Sequence, residues 1–376
     1  LVAAVVGVAV VLAVFGGAHF YVARRLYQWL ALVFPGINGK VFAGVYVCLA
    51  VAIIVGYLPL PAVVRRTFAW VGGHWTGAFV YLLMAFVVVD LVLAVGRLVR
   101  VVPSPVPTDV RFVAGLVAVL VATGVVSYGV YNATQIRSVD YDVTVSADLE
   151  PTRIVVVSDL HLGSVGSEDN LVRVVDAVNA ARPDIVCLVG DTFNDDYHAV
   201  RDPDKVAELF ASITSTYGVY AVLGNHDSGA SLPDMVGLLE RSGVRLLNDE
   251  HVTVGPIVLV GRMDASPIRS FGGLERASTA EVFASVDTTG PVVVMDHNPA
   301  HVDDDPQVDL VVSGHTHRGQ MFPANLITRA MYTVDYGHHQ GSGSQVVVTS
   351  GAGTWGIPMR VGSSSEIAVI TLHGPA

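Results

Sequence analysis

Five short segments of this chain place aspartate, asparagine or histidine just beyond apolar, β-branched runs. Asp159-Leu160-His161 follows Ile154–Val157, Gly190-Asp191 follows Ile185–Val189, and Gly224-Asn225-His226-Asp227 follows Val219–Leu223. His297 follows Val292–Met295, and Gly314-His315-Thr316-His317 follows Leu310–Val312. Such runs read as buried strands. In open α/β sheets, groups just past strand C-terminal ends collect in one crevice. The chain must therefore fold so that these five strand ends lie side by side.

The neighbouring sequence fits that demand. Val346–Val348 and Ile367–Ile370 also read as strands, as does Ile257–Val260. Asn170–Ala181, Lys205–Tyr217 and Ser231–Ser242 carry helical periodicity. Strand–helix alternation followed by strand-rich sequence predicts an α/β fold, a layered sandwich with two mixed sheets.

Composition divides the chain near residue 137. Residues 1–137 carry nine Lys/Arg and two Asp, about +7, whereas 138–376 carry 13 Lys/Arg and 31 Asp/Glu, about −18. The acidic half argues against nucleic acid as a partner, because phosphate backbones are bound by basic surfaces. It suits a site that collects divalent cations. Cys48 and Cys187 offer no disulfide framework and read as small buried hydrophobes.

The first half reads as about four transmembrane helices, near Val2–Val22, Val41–Leu60, Trp75–Val95 and Phe112–Tyr131. The first lacks a small-residue cleavage site and reads as a span rather than a cleaved signal. Tyr27, Trp29, Trp70, Trp75, Tyr128 and Tyr131 sit where an interfacial belt would lie. The first and third connections hold Arg24, Arg25, Lys40, Arg97, Arg100 and Arg111; the opposite side holds Arg65, Arg66 and Arg137. That bias places the connections in the cytoplasm and the acidic domain outside. Asp90 inside the third stretch is a functional candidate by default. Its bland reading is a hydrogen-bonded carboxyl near His19 or Arg97. His74 reads as an interfacial residue with no further role.

In the second half the donors read as one binuclear metal centre. Asp159 and His161, two residues apart in an extended segment, would share a face. Asp191 has two oxygens and can bridge two cations. Asn225 adds a neutral oxygen, and His297, His315 and His317 add imidazoles. A lone histidine says little; five such elements in order, separated by supersecondary lengths, say much.

The order Asp159-x-His161, Gly190-Asp191, Gly224-Asn225-His226-Asp227, His297, Gly314-His315-x-His317 resembles the calcineurin-like metallophosphoesterase superfamily, over about residues 150–372. Gly353-Thr354-Trp355-Gly356-Ile357-Pro358 with Arg360 resembles the closing segment of a bacterial, often membrane-tethered branch. The resemblance implies a four-layer αββα sandwich. It implies one metal held by Asp159, His161, Asp191 and His317, and a second by Asp191, Asn225, His297 and His315. His226 would face the phosphate without ligating, and Asp227 would orient it. Arg318 stands where the branch usually has glycine; it is either a phosphate contact that narrows the pocket or a solvated charge. The cofactors implied are two divalent metal ions, and the mixed N/O set suits Mn, Fe or Zn.

Other residues receive plainer readings. Asp195 and Asp196 read as loop caps or supports of the ligands, His338-His339 as an exposed flexible loop, and Asp303-Asp304-Asp305 as a solvated turn. Met321–Ile327, apolar without strand alternation, reads as either a lip that dips into the bilayer or ordinary core.

The expectation is a membrane-anchored phosphoester hydrolase using metal-activated hydroxide: residues 1–137 a multi-pass anchor in the cell membrane, 138–376 an extracytoplasmic catalytic domain. Only 22 residues, 132–153, separate the last expected helix from the first expected strand, which favours a phosphodiester or a lipid-linked or envelope phosphate as substrate. The alternative is a non-catalytic membrane sensor or wall-binding protein that recognises phosphate through the same metals.

Overall fold

The computed structural model describes residues 2–58, 60–301, 307–341 and 343–375. Asp303-Asp304-Asp305 lies outside the described residues. The chain divides into two compact units, Leu1–Val130 and Tyr131–Ala376.

The first unit holds α1 (Val2–Val33), α2 (Gly39–Gly56), α3 (Ala62–Leu98) and most of α4 (Thr108–Ala133). α2, most of α3 and α4 are long and apolar enough to cross a membrane. The remaining expected span falls in α1, where many early side chains are not described. α3 starts earlier than its apolar core suggests, so Arg65 and Arg66 lie on its first turns. Small residues let helices approach: a side chain at Gly72 would strike the backbone of Ile53 on α2. Asp90 accepts a hydrogen bond from Tyr21 (2.7 Å) and pairs with Arg25. Its partners are thus not His19 or Arg97, and His19 instead stacks on Phe79.

Among the described residues, the second unit contains twelve strands in two mixed sheets. The first sheet has the order β1 (Ile136–Thr144), β12 (Ser365–His373), β2 (Thr152–Val157), β3 (Ile185–Val189), β4 (Val219–Val222), β5 (Arg245–Leu246). The second has β10 (Gly337–Gln340), β11 (Gln345–Val348), β9 (Leu310–Ser313), β8 (Val292–Met295), β7 (Ile257–Gly261), β6 (Glu250–Val254). β2 through β5 run parallel, as do β7, β8, β9 and β11.

Strand period explains the layers. Ile154 and Val156 on β2, Ile185 and Cys187 on β3, and Val293 and Met295 on β8 turn into the space between the sheets. Val155, Val186 and Leu188 turn outward, against α5 (Ser167–Ala181), α6 (Pro203–Ala211) and α7 (Leu232–Arg241). On the far face of the second sheet, Val292, Val294 and Val311 pack with Val282 and Phe283 of α8 (Thr279–Phe283). This is the expected αββα sandwich, with a thin outer helical layer. Strands covered on both faces are apolar throughout, which is why they read as continuous runs.

Several elements differ from the sequence reading. Ile136 and Arg137, assigned by composition to the membrane half, open β1, which pairs with β12 along all nine residues. His338 and His339 belong to β10, paired with β11, rather than to a flexible loop. Met321–Ile327 resolves into a turn leading to α9 (Ala324–Met331), which buries none of its residues.

Candidate metal centre

The donors leave the C-terminal ends of β2, β3, β4, β8 and β9, so parallel pairing within each sheet and packing between the sheets bring them together. The segment after β2 is not extended as the spacing suggested. Asp159 (φ +57°) and His161 (φ +48°) are both left-handed, as are Asp191 (+49°), His315 (+67°) and His317 (+49°). Non-glycine residues hold this conformation at a cost, and clustering of such strain marks functional sites. Leu160 turns into the core between its two polar neighbours.

The glycines preceding the donors make room. A side chain at Gly190 (φ +76°) would strike the His297 ring, and one at Gly314 would strike Ser158 and Asp159.

Two donor groups form around Asp191. In one, His317 Nε2 lies 3.3 Å from Asp159 and 3.0 Å from His161 Nε2, with His161 Nε2 3.8 Å from Asp191 Oδ2. In the other, His297 Nε2 lies 3.2 Å from both Asp191 Oδ2 and Asn225 Oδ1, and His315 Nδ1 lies 2.8 Å from Asn225 Oδ1. Asp159, His161 and His317 could hold one ion, and Asp191, His297 and His315 another; His161, Asp191 and His226 form a third, overlapping group.

The chemistry of these donors fits bound cations. Burial pushes the His161 imidazole down to about 3, and burial followed by the charge of His161 holds His317 well below its ordinary value. Burial thus favours the unprotonated form that ligates, and the two Nε2 atoms face each other in a buried space. His161 Nδ1 is also buried without a hydrogen-bond partner. His297 directs Nδ1 to the Val189 carbonyl (2.8 Å), which leaves Nε2 for a ligand. Burial alone would raise Asp191; the charge and hydrogen bond of His297, then His161 and His226, hold its carboxyl well below the usual range. Burial pushes Asp159 up to about 6.

His226 lies beside both groups, its ring 5.0 Å from that of His161, centroid to centroid. Its Nδ1 contacts Asp195 at 2.9 Å. The expectation that Asp227 orients it is therefore not met. The Asp227 carboxylate accepts the backbone amides of Thr192, Phe193 and Gly224, joining the turns after β3 and β4. Burial, then the charge of Asp191, pushes its carboxyl up to about 7. Asp196 accepts the His198 amide as a loop cap. Asp195, first read among the supports, is the partner of His226; only its place four residues after Asp191 hinted at this.

The closing segment supports the centre. Gly353 and Ala352 donate their amides to the carbonyls of Asp159 and Ser158. Arg360 is fully buried; its guanidinium donates to the carbonyls of Ser350, Gly351, Gly353 and His317 and approaches His317 Nδ1 at 3.3 Å. The Trp355 ring lies 5.7 Å from that of His226. The Arg318 guanidinium lies 4.2 Å over the Tyr336 ring. Its left-handed φ (+49°) suits the glycine usual at that position.

The two-sheet sandwich with its donors at aligned strand ends defines a class of metal-dependent phosphoesterase folds, and comparison with known proteins agrees. The calcineurin-like phosphoesterase family profile matches residues 152–319. An uncharacterized metallophosphoesterase of Aquifex aeolicus is 32% identical over 225 residues, 59% of this chain and 85% of that protein. A Danio rerio transmembrane protein with metallophosphoesterase domain is 32% identical over 277 residues, 68% of this chain and 62% of that one. An uncharacterized metallophosphoesterase of Campylobacter jejuni, 26% identical, aligns over 97% of both chains, and so through the apolar helices as well. The chain belongs to the calcineurin-like metallophosphoesterase family.

Proposed function

We propose that the chain is a multi-pass membrane protein whose second unit hydrolyses phosphoesters at a binuclear metal centre on the extracytoplasmic side, with residues 1–137 as anchor and 138–376 as catalytic domain. The observation that carries this reading is the clustering of overlapping donor groups in one place, two of them sharing Asp191, with His226 Nδ1 in contact with Asp195.

Asp159, His161, Asp191 and His317 would hold one divalent ion, and Asp191, Asn225, His297 and His315 the other. Bound there, Mn, Fe or Zn would supply Lewis-acid charge for the phosphoryl oxygens and activate the attacking water. The chain's own residues do the rest. Asp195 occupies Nδ1 of His226, which leaves Nε2 to meet the substrate. Burial alone would lower this imidazole, but the hydrogen bond to Asp195 and the charge of Asp191 raise it above its ordinary value. A protonated His226 can donate to the leaving oxygen of the ester. Asp227 and Arg360 keep the donor loops in register. A complete donor set beside an oriented histidine supports turnover over the non-catalytic alternative.

The substrate class proposed is a phosphodiester or lipid-linked phosphate rather than nucleic acid, given the acidity of the catalytic half. The test is to assay the full chain in detergent, supplied with manganese, on an aryl phosphodiester and an aryl phosphomonoester. Turnover by the parent, lost in Asp191→Asn and His226→Ala, is expected. Tight metal binding with no turnover of either ester would refute the hydrolase reading.

A further inference from the structure

α9 is amphipathic in the wrong sense for a helix packed on a water-soluble domain. Leu326, Ile327, Ala330 and Met331 share one arc of its surface at helical spacing. That arc faces outward: Leu326, Ile327 and Met331 are 54%, 59% and 70% exposed. On the opposite arc, partly buried Thr328 donates to Asp335 (3.2 Å). Phe322 and Trp355, also exposed, extend the apolar surface.

Both ends of this helix are fastened to the metal centre. Before it, His317 leads through one short turn to Gln320, whose side chain holds the backbone of Trp355 at both N and O. Asp335 accepts Thr316 through its backbone carbonyl (2.7 Å), and the Tyr332 ring lies 6.1 Å from that of His315.

The same segment is tied to the end of the last apolar helix. Asn132, in the final turn of α4, donates to the carbonyls of Arg360 (3.0 Å) and Ser363 (2.9 Å). Val361 in turn accepts the Phe322 amide (2.7 Å), and Ser363 donates to the Gln320 carbonyl (2.8 Å). A short chain of hydrogen bonds within the second unit thus joins the exit of a candidate membrane span to the base of α9.

We propose that α9 is an interfacial helix that seats its Leu326–Ile327–Met331 arc in the bilayer carrying the chain's own spans, so that the metal centre works at headgroup level on an amphiphilic phosphoester. The inference rests on the membrane-anchor reading of the proposed function. A helix with one apolar arc lies in the plane of the interface and buries that arc at the acyl boundary, which here removes the cost of showing it to water.

The test uses the full chain with Cys48→Ala, since Cys187 is fully buried. A single environment-sensitive fluorophore is attached at Ile327→Cys or Met331→Cys, with Asp176→Cys on α5 as a control meant to stay in water and Val121→Cys on α4 as one meant to sit in lipid. The protein is reconstituted in phosphatidylglycerol–phosphatidylethanolamine nanodiscs with or without doxyl-labelled lipid. At least twofold quenching at 327, 331 and 121, but not at 176, is expected. Quenching at 121 with none at 327 and 331 overturns the lip and leaves the anchor standing. No quenching at 121 overturns the anchor, and the lip with it.

Discussion

Nδ1 of His226 lies 2.9 Å from a carboxylate oxygen of Asp195, which stands at the end of the turn beginning with Asp191. One turn therefore supplies both a carboxylate of the candidate donor groups and the contact made by the Nδ1 of the histidine beside them. Asp195 is a positioning residue, and Asp227 is a brace between loops.

Asp195→Asn should lower kcat about 10–100-fold, less than loss of the acid itself, which contributes roughly 10²–10⁴. KM should change little, because the side chain does not meet substrate. Steady-state kinetics on an aryl phosphodiester separates the two. An equal rise in KM with unchanged kcat would place Asp195 in binding instead.

Asp227→Ala should act through structure. Removing a buried acceptor of three amides leaves each without a partner, at about 1–3 kcal/mol per group. The apparent unfolding temperature should fall by several degrees, together with activity. Thermal unfolding of parent and variant in the same detergent reads the difference.

Arg360→Lys should fail to rescue. The guanidinium serves four carbonyls at once from a fully buried position, and burial already pulls it down to about 10. An ammonium cannot span that fork. Arg360→Lys and Arg360→Met should both lower the unfolding temperature and weaken metal binding, because the contact with His317 is lost.

Gly190→Ala tests the crowding around the second donor group. The added methyl would meet the His297 ring from a backbone at φ +76°. The variant should lose metal affinity and at least about tenfold in activity, the low end of what disturbed support around metal ligands costs. Metal titration and turnover should fall together.

Much of this site was legible because its residue types are rare company for strand ends. Ile185–Val189 and Val292–Met295 match their predicted limits, since burial on both faces makes a strand apolar throughout. β1 was not legible. Arg137, Asp140 and Asp142 break its pattern, and it exists through pairing with β12 more than two hundred residues away. α9 was hidden for the opposite reason, as a short helix whose apolar arc faces away from the protein. Asp195 and Asp227 are both aspartates near a donor, and sequence spacing cannot say which one a side-chain nitrogen will meet. The left-handed backbone at five of the donors is likewise a product of the assembled sheets.

Chelation offers a further check on the donor set. Ligands that bind only the folded state stabilise it by about 2.7 kcal/mol at a hundredfold excess over Kd. Removing metal should lower the unfolding temperature of the parent, and manganese should restore it. Asp191→Asn should show much less of this shift.

The most direct test of the account is the metal content of the purified full chain beside that of two variants. Two divalent ions per chain are expected in the parent, one in Asn225→Ala, and fewer than one in Asp191→Ala, because the two proposed ion sites share Asp191. A parent that holds a single ion, or an Asp191→Ala variant that retains two, would contradict a centre built around a shared carboxylate.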